Sequence, residues 1–240
     1  MQAVILAAGF GTRLRPLTDN KPKALVETNG HTLLELCIHR LAAEGANRIA
    51  VNVHHFGDMM IDYLSSRKWP VEVVVSDERG LLLNTGGGVK KAASLLSANE
   101  PVLVHNVDIL SHISLKTMLE EHLTNGNGAT LAVSQRNTKR QLIFDGAGRL
   151  CGWHNRESGE KLWSVDQPSL VKELAFSGIW IVNPDTVAQL PEADHPYPII
   201  PELLKIASHS RIGAFEHRGD DWLDVGTPEK LAKAATFLNK

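Results

Sequence analysis

Short apolar runs alternate with longer amphipathic segments through the first third of the chain. Residues 3–8 form a continuous apolar run, which is typical of a buried strand, and 48–53 and 71–75 form two more. Between these runs, apolar residues recur at helical spacing over 31–44, and a second helix is predicted over 58–66. Because strands and helices alternate, the pattern predicts a parallel sheet with right-handed crossovers.

The alternation continues along the chain and changes character after residue 134. Strands are predicted over 101–104 and 129–134, with a helix over 114–123 between them, and polar residues over 154–170 predict a mobile loop. The other predicted elements are a hairpin formed by 141–144 and 149–153, a strand over 174–182, a short helix ending at Leu190, a helix over 199–208, a strand over 211–216 and a helix over 229–238. Together they predict an α/β fold with a mostly parallel central sheet and a small β-hairpin insertion.

The segment after the first strand combines glycine with positive charge. Gly9 and Gly11 let a ligand approach the backbone, since neither has a Cβ atom, and successive N–H groups there can bind an anion. Four cations follow, at Arg13, Arg15, Lys21 and Lys23. A P-loop motif is absent, and a dinucleotide fingerprint is excluded because Leu14 stands where its third glycine is needed. The segment predicts a polyphosphate site, with a surface turn bearing solvated cations as the alternative.

A second glycine-rich segment precedes a helix that is predicted to run to about Ala98. It begins with Asn84 and Thr85, followed by glycines at 86–88. One interpretation is a flexible loop, and the other is a site where the backbone meets a flat ligand or a phosphate at the helix N-terminus. Three successive glycines destabilise the chain when no ligand is bound, which favours the functional interpretation.

Two carboxylates and a glycine within a strand complete the candidate chemistry. Asp108 follows a predicted central strand, at the edge where open α/β sheets bind ligands, although a turn or cap role is an alternative. Asp224 precedes the predicted N-cap Thr227 and the first helical residue Pro228, and could simply support that cap. Gly178 lies inside a predicted strand and indicates either a bulge or close approach of a ligand.

Overall charge and cysteine content restrict the function classes. The 240 residues carry a net charge of −2, so a general binder of nucleic acid or membrane surfaces is not expected. Cys37 and Cys151 are too few for a disulfide framework or a zinc site. The run 3–8 is too short for a signal peptide or a membrane span. We therefore expect a single cytoplasmic domain over 1–240.

Motifs at both ends of the chain resemble those of one enzyme family. Residues 6–18 read Leu-Ala-Ala-Gly-x-Gly-Thr-Arg-Leu-x-Pro-Leu-Thr, Lys-Pro-Lys follows at 21–23, and 222–227 read Trp-Leu-Asp-Val-Gly-Thr. In this order they are similar to the motifs of the sugar-1-phosphate nucleotidylyltransferases. The Thr-Gly-Gly-Gly segment is similar to that of uridylyl- and guanylyl-transferring members. The resemblance covers nearly the whole chain and is weakest over 135–172.

The resemblance implies a Rossmann-like (GT-A-like), three-layer α/β/α fold with a nucleotide-binding half, 1–134, and a sugar-binding half, 135–240. It implies catalytic roles for Arg13 and Lys23, Mg²⁺ ligands at Asp108 and Asp224, and sugar contacts from Phe176, Ser177 and Gly178. The implied nucleotide-binding residues are Leu6, Ala7, Ala8, Gly9, Gly11, Thr12, Arg13, Asn84, Thr85, Gly86, Gly87 and Asn106. Val107 departs from the glycine that the family usually has before the first metal ligand.

The implied reaction joins an NTP to a sugar-1-phosphate and gives an NDP-sugar and pyrophosphate, with UDP- or GDP-sugars favoured. The attacking phosphate is already an anion, so no general base is needed. These substrates are the expected partners; no nucleic acid or membrane is expected, and the protein would be a monomer or small homo-oligomer. Two alternatives stay open: a cytidylyltransferase acting on a phosphocholine-like phosphate, and a non-catalytic regulatory protein that binds nucleotide sugars. Acceptor choice is expected to depend on 135–180.

Overall fold

A ten-stranded mixed sheet forms the centre of the protein, and two small two-stranded sheets flank it. The computed structural model describes residues 1–218 and 221–239. The strands are β1 (Gln2–Leu6), β2 (Glu27–Thr28), β3 (His31–Thr32), β4 (Arg48–Val53), β5 (Glu72–Asp77), β6 (Val102–Asn106), β7 (Ile109–Ser111), β8 (Ala129–Ser134), β9 (Arg140–Asp145), β10 (Leu150–Asn155), β11 (Lys161–Trp163), β12 (Val171–Val182), β13 (Ile212–Glu216) and β14 (Trp222–Asp224).

The helices lie between these strands. They are α1 (Leu33–Ala43), α2 (Gly57–Ser65), α3 (Asn84–Ala93), α4 (Leu115–Thr124), α5 (Pro184–Ala188), α6 (Ile199–Ala207), α7 (Pro228–Leu231) and α8 (Ala234–Leu238), with short 3-10 turns at Thr12–Leu14 and Lys23–Leu25. Within the part of the chain that the structure describes, none of them combines the length and apolar character needed to cross a membrane.

The large sheet has the order β11-β10-β9-β12-β6-β1-β4-β5, and β8 pairs with both β12 and β13. Strands β6, β1, β4 and β5 are mutually parallel, whereas β12 runs antiparallel to β6, β8 and β9. The predicted parallel centre is confirmed. In β1, Leu6 pairs with Asn52 on one side and with Asn106 on the other. The carboxyl ends of three parallel strands therefore meet at one edge, where such sheets bind ligands.

Alternate side chains of β1 enter two hydrophobic layers on opposite faces of the sheet. Ala3 and Ile5 pack in one layer with Ile38 of α1, while Val4 packs in the other with Val89 of α3. All five side chains are fully buried. Burying an aliphatic side chain of this size stabilises the fold by about 1.5–3 kcal/mol. Helices thus cover both faces, which confirms the three-layer arrangement.

Two helix starts follow directly from the sequence. The Thr32 hydroxyl accepts a hydrogen bond from the Glu35 N–H and begins α1. The Thr227 hydroxyl accepts one from the Lys230 N–H, with Pro228 as the first helical residue of α7. The cap predicted at Thr227 is therefore confirmed.

Three predicted elements differ from the structure. The stretch 154–170 is not a loop throughout, because β10 continues to Asn155 and β11 pairs with it along an exposed edge. Helix α3 contains the three glycines and ends early, since Ser94 Oγ donates to the Lys91 carbonyl. The single helix predicted over 229–238 is two short helices, because an i→i−3 bond from Lys233 N–H to the Lys230 carbonyl tightens the chain between them.

Candidate active site

The loop after β1 is fixed by Gly11 and Thr18. Gly11 has a φ of 65°, and a Cβ atom there would lie 2.9 Å from Lys23 Cβ and 3.1 Å from Thr18 Cγ2. Thr18 is buried and donates from Oγ1 to the Gly11 carbonyl at 2.9 Å. Glycine is therefore required at position 11 both for its left-handed backbone and for the close approach of Lys23.

Arg13 and Lys23 extend from this loop toward two carboxylates. Lys23 Nζ lies 2.9 Å from Asp108 Oδ2, and Arg13 Nη2 lies 3.9 Å from the same oxygen. Arg13 Nη1 lies 3.7 Å from Asp224 Oδ2. The Arg13 side chain is 62% exposed while both carboxylates are largely covered. The two aspartates thus form the floor of the site, and Arg13 lies at its open side.

Backbone pairing brings the two carboxylates together. Strands β7 and β14 are antiparallel, with Asp224 opposite Ile109. The Val225 N–H also donates to the Asp108 carbonyl at 2.9 Å. The sheet of β7 and β14 therefore completes the site, since it places Asp224 beside Asp108, which lies between β6 and β7. Val107, which departs from the family pattern, is fully buried and donates its N–H to the Leu6 carbonyl at 3.2 Å.

Asp224 is surrounded by donors. Lys230 Nζ lies 3.0 Å from Oδ2, and the Gly226 N–H donates to Oδ1 at 2.8 Å. Burial alone would raise the pKa of Asp224, but the bonds from Lys230 and Gly226 and the charges of Lys230 and Arg13 outweigh it, so the pKa is lowered. Asp224 is therefore ionised at neutral pH. A Cβ atom on Gly226 would lie 2.7 Å from both Asp224 Oδ1 and Arg13 Nη2, so a larger residue there would displace one of these side chains.

A bulge in β12 forms the next wall of the site. The pairing of β12 with β8 shifts register between Phe176 and Trp180. Within the shift Gly178 has a φ of 73°, and a Cβ atom there would lie 2.7 Å from Asn106 Nδ2. Gly178 therefore both forms a bulge and allows a close approach, in this case by Asn106. Phe176, Ser177, Gly178, Asn106 and the two aspartates line one cavity of about 450 Å³.

Arg136 lines the same cavity. Its guanidinium carbon lies 3.6 Å from the centre of the Trp222 ring, and Nη2 donates to the Phe176 carbonyl at 2.9 Å and to Ser177 Oγ at 3.1 Å. Trp222 Nε1 in turn donates to the Ser177 carbonyl at 2.7 Å. Burial lowers the pKa of Arg136 while Asp224 acts in the opposite direction, and an arginine remains charged under such conditions. The cavity thus contains a third fixed cation near Asp224.

A larger cavity of about 810 Å³ opens beside the first and shares Arg13, Thr138 and Phe176 with it. Its other lining residues come mainly from the hairpin, and they are Lys139, Arg140, Gln141, Leu142, Trp153, Asn155, Glu157 and Ile200. The predicted hairpin insertion therefore forms a wall of the site. This is also the part of the sequence where the family resemblance is weakest.

The glycine-rich segment packs tightly within the structure. A Cβ atom on Gly86 would lie 2.3 Å from Tyr197 Cδ2, and one on Gly87 would lie 2.9 Å from Leu83 Cβ. Gly86 also donates its N–H to the Tyr197 carbonyl at 2.9 Å. Asn84 is exposed with a φ of 61°, and Thr85 is half-buried. The interpretation of this segment as a flexible loop is wrong, because it forms the first turns of α3 and two of its glycines pack tightly on Tyr197 and Leu83.

The predicted nucleotide-binding residues of the first loop differ in exposure. Ala7 and Ala8 are buried, and both N–H groups donate to Asn52 Oδ1, at 2.6 Å and 3.1 Å. Gly9 and Thr12 are exposed. Backbone N–H groups for an anion would therefore come from the outer part of the loop. The nucleotide-binding role of this set stays a prediction.

The chain as a whole matches one known family. Residues 2–240, which include every element of the site, match the nucleotidyl transferase family. This chain belongs to that family. The prediction of a nucleotidyltransferase enzyme is thereby confirmed.

Two relatives show how far the similarity extends. The N-acetylmuramate α-1-phosphate uridylyltransferase of Caulobacter vibrioides is 33% identical over 246 residues, covering 97% of this chain and 95% of that protein. The mannose-1-phosphate guanylyltransferase catalytic subunit beta of Dictyostelium discoideum is 29% identical over 246 residues, covering 100% of this chain but 65% of that protein. The chain therefore spans about two thirds of the guanylyltransferase subunit.

Solved structures share the fold. HddC from Yersinia pseudotuberculosis, complexed with GMP-PN, superposes with a TM-score of 0.75 at 22% identity and covers 99% of each chain. A UDP-glucose pyrophosphorylase complexed with UDP-glucose superposes with a TM-score of 0.75 at 19% identity, covering 99% of this chain and 98% of the other. At these identities the likeness concerns the fold, and the predicted Rossmann-like architecture is confirmed.

Nucleotidyl transferases generally depend on a divalent cation, and the two aspartates fit one. The Arg13 guanidinium lies 3.9 Å from Asp108 Oδ2 through Nη2 and 3.7 Å from Asp224 Oδ2 through Nη1. Both carboxylate oxygens therefore border the same space. Among residues 1–218 and 221–239, no group of three or more metal-ligating side chains occurs. Mg²⁺ suits such a site, because it commonly binds one or two carboxylates together with substrate phosphates and water.

Sequence reasoning missed four residues of the site region: Asn52, Glu78, Arg136 and Lys230. Asn52 gave the clearest signal, because it is a polar residue inside the buried apolar run of β4. Lys230 lies three residues after the cap Thr227, and an arginine or lysine on a helix surface is normally solvated. Arg136 follows β8 with no motif around it, and only the tertiary structure places it over Trp222.

Proposed function

We propose that this nucleotidyl transferase joins a nucleoside triphosphate to a sugar-1-phosphate and releases an NDP-sugar and pyrophosphate. The observation that carries the proposal is the convergence of Asp108 and Asp224 beside Lys23 and Arg13. Two anionic substrates can react only where fixed charge neutralises their repulsion and aligns them. The names of the two relatives above, which transfer uridylyl and guanylyl groups to sugar phosphates, support the same reaction.

In the proposed step, an oxygen of the sugar phosphate attacks the α-phosphorus of the triphosphate. A new P–O bond forms there, the bond to the β-phosphate breaks, and pyrophosphate leaves with the electron pair. Lys23, at the buried end of the site, neutralises the charge that builds on the α-phosphate. Arg13, at the open side, binds the outer phosphates and stabilises the leaving pyrophosphate.

Asp108 and Asp224 would hold Mg²⁺, which when bound neutralises phosphate oxygens of both substrates. The lowered pKa of Asp224 keeps it ionised and ready to bind a cation. Lys23 Nζ and the Arg13 guanidinium lie 2.9 Å and 3.9 Å from Asp108 Oδ2, so both cations are close enough to act on phosphates held at the carboxylates.

The acceptor would occupy the two adjoining cavities. Arg136 lies where the phosphate of a sugar-1-phosphate would approach Asp224, and Phe176 and Trp153 would flank the sugar. The larger cavity leaves room for substituents on the ring, and the exposed Arg140 adds a positive charge to its wall. We therefore favour a substituted, acidic acceptor such as N-acetylmuramate α-1-phosphate with UTP, the pair that the name of the Caulobacter vibrioides relative gives. Mannose-1-phosphate with GTP is the second candidate.

We also infer a cytoplasmic setting, because both cysteines are free thiols. Burial raises the pKa of Cys37 to about 12 and that of Cys151 to about 11. Such thiols are poor nucleophiles and have no part in the proposed step. The expectation of a monomer or small homo-oligomer would be checked by light scattering at the assay concentration.

The proposal is tested by pyrophosphate release with Mg²⁺. UTP, GTP, ATP, CTP and dTTP are each paired with N-acetylmuramate α-1-phosphate, mannose-1-phosphate, glucose-1-phosphate and phosphocholine. Turnover of one nucleotide with one sugar phosphate is expected and would name the specificity. Turnover of CTP with phosphocholine alone would instead identify the cytidylyltransferase alternative. Nucleotide binding without turnover of any pair would point to an acceptor outside this panel.

A further inference from the structure

Asn52 and Glu78 lie behind the site, between the loop after β1 and the start of α3. Neither belongs to a family motif quoted above, and neither takes part in the proposed step. Both are buried, with exposures of 3% and 1%. Burying an amide and a carboxylate costs free energy unless their hydrogen bonds are made. The hydrogen-bond partners of Asn52 and Glu78 therefore have to be identified.

Asn52 continues the pairing of β1 beyond the end of the strand. Strand β1 ends at Leu6, and the next two N–H groups, from Ala7 and Ala8, both donate to Asn52 Oδ1 at 2.6 Å and 3.1 Å. The side chain of Asn52 thus takes the place of a partner strand at the start of the loop after β1, which we call the phosphate loop. Its remaining donor, Nδ2, points to Glu78 Oε1 at 2.8 Å.

Glu78 connects Asn52 to the glycine-rich helix. Its second oxygen, Oε2, accepts a hydrogen bond at 3.0 Å from the N–H of Leu83, the residue before α3. The backbone of Glu78 is held as well, because its N–H donates to the Val53 carbonyl at 2.8 Å and its carbonyl contacts His54 Nδ1 at 2.8 Å. One continuous chain of hydrogen bonds therefore runs from Ala7 to Leu83.

The donor and the acceptor of each hydrogen bond between Ala7 and Leu83 are fixed. Asn52 must present its oxygen to two N–H groups, so its NH₂ group faces Glu78, and Leu83 presents a second donor to Glu78. Only a residue that accepts at both oxygens satisfies the two donors, which explains a carboxylate rather than an amide at position 78. Burial raises the pKa of Glu78, and the donors from Leu83 and Asn52 and the charge of Lys91 oppose that rise.

The same chain accounts for the third glycine of α3. A Cβ atom on Gly88 would lie 2.9 Å from Asn52 Nδ2 and 3.1 Å from Glu78 Oε1. Gly86 and Gly87 make room for Tyr197 and Leu83, whereas Gly88 makes room for the Asn52–Glu78 pair. The hydrogen-bonded pair of Asn52 and Glu78 therefore accounts for a glycine at position 88.

We propose that Asn52 and Glu78 are positioning residues for the nucleotide, which lock the phosphate loop and the start of α3 in one relative arrangement. The inference rests on the proposed function, because it takes both segments to bind the same NTP. A triphosphate on one segment and a base on the other require a fixed distance between them. Among residues 1–218 and 221–239, no hydrogen bond joins Asn52 or Glu78 to the residues that line the acceptor cavities. We therefore expect the affinity for the sugar phosphate to be independent of the pair.

The decisive variant is Glu78→Gln, which keeps the shape of the side chain. The substituted amide has one acceptor oxygen, so its NH₂ group must face either Asn52 Nδ2 or the Leu83 N–H, and a buried donor loses its partner. We expect the KM for the NTP to rise about tenfold to a hundredfold, while the KM for the sugar phosphate changes less than about twofold. A folded variant with the wild-type KM for the NTP would overturn the inference.

The double variant Asn52→Asp with Glu78→Gln should restore the arrangement. The new carboxylate on β4 would accept from Ala7, from Ala8 and from the NH₂ group of the new amide, and the oxygen of that amide would accept from Leu83. Each hydrogen bond between these groups then has a counterpart, and the net charge is unchanged. We expect its KM for the NTP within about threefold of wild type. A folded double variant that resembles Glu78→Gln would contradict the inference. If Glu78→Gln fails to fold, the double variant decides alone, and failure to fold or a KM raised tenfold would overturn it.

Thr186→Val is the matched control. Thr186 is buried and donates to the Gly128 carbonyl at 3.0 Å, and neither residue takes part in the hydrogen bonds of Asn52 and Glu78. It should lower the Tm without changing either KM, which separates positioning from simple loss of stability. If wild-type protein turns over no pair of substrates, the proposed function fails first. The three variants and the wild type are then compared by calorimetric titration with UTP and GTP, and an unchanged nucleotide Kd in Glu78→Gln would overturn the positioning role separately.

Discussion

The two sides of the active site are built in different ways. On the nucleotide side, glycines in the loop after β1 and in α3 stand where a Cβ atom would meet another residue within 3 Å, as at Gly11, Gly86 and Gly88. On the acceptor side, side chains of a two-stranded hairpin line a cavity of about 810 Å³. The first side is determined by backbone packing, and the second by exchangeable side chains.

This difference indicates which properties each side can vary. A side chain in the hairpin can change without disturbing the sheet, so the choice of acceptor can differ between relatives with one fold. The nucleotide side tolerates few substitutions, because most of them would displace backbone. This agrees with a resemblance that is strongest at 3–26, 83–92 and 222–228 and weakest over 135–172. The following predictions test the contrast.

Asp224→Asn should have the largest effect, because Asp224 serves both sides. Loss of the carboxylate charge should lower kcat about 10²–10³-fold with the fold intact, since one oxygen ligand of the proposed cation site becomes neutral. Single-turnover pyrophosphate release measures this change. Asp62→Asn, an exposed change on α2, removes the same charge elsewhere and should leave the rate unaltered. Full activity in Asp224→Asn would remove Asp224 from the site.

Gly86→Ala should show how rigid the nucleotide side is. The added methyl group would lie 2.3 Å from the Tyr197 ring, and overpacking of this kind costs about 1–3 kcal/mol, offset by roughly 1 kcal/mol of improved helix propensity. Urea unfolding measures the net loss. Gly80→Ala, where nothing lies within 4 Å, is the matched control and should not lose stability. Equal stability of the two variants would argue against the packing role of Gly86.

Trp153→Ala should show how tolerant the acceptor side is. Trp153 lines the larger cavity on β10, so its removal should raise the KM for the sugar phosphate about tenfold and leave the KM for the NTP unchanged. Steady-state kinetics with each substrate varied in turn separate the two values. An equal rise in both constants would mean that the sides are not independent.

Lys230→Met should have the smallest effect, which we expect in the pH dependence of the protein's stability. The pKa of Asp224 is lowered in the fold, so its ionisation stabilises the protein above the unfolded pKa of about 3.9, and this contribution is lost as pH falls through the folded pKa. Removing Lys230 should reduce the contribution at neutral pH by about 1 kcal/mol or less, because Lys230 is 45% exposed. The two stabilities should converge in acid. Lys233→Met, an exposed change nearby, should show no such convergence.

Much of the fold could be predicted from the sequence because its signals are local. The apolar run after Gln2 is long enough for a buried strand, and Thr227 and Pro228 specify a helix start without help from the rest of the chain. Strand β11 escaped prediction because it is three residues long, lies at a sheet edge and is mostly exposed. Its pairing with β10 depends on the tertiary structure, which no local sequence pattern specifies.

The candidate site divides in the same way. Arg13, Lys23, Asp108 and Asp224 could be named because they stand in motifs, and the structure brings them together. Arg136 stands in no motif, and its place over Trp222 depends on the bulge in β12. The glycines of α3 could be recognised as unusual, but whether they serve a ligand or a neighbour depended on Tyr197, which lies far away in sequence.

The pairing of β7 with β14 also has a consequence for biosynthesis. The phosphate loop, Lys23 and Asp108 leave the ribosome long before β14, but a domain generally folds as one unit. Contacts between such distant segments form late, because closing a long loop costs conformational entropy. Asp224 is brought beside Asp108 by the pairing of β14 with β7. During synthesis, the proposed cation site is therefore completed only after β14 has been translated.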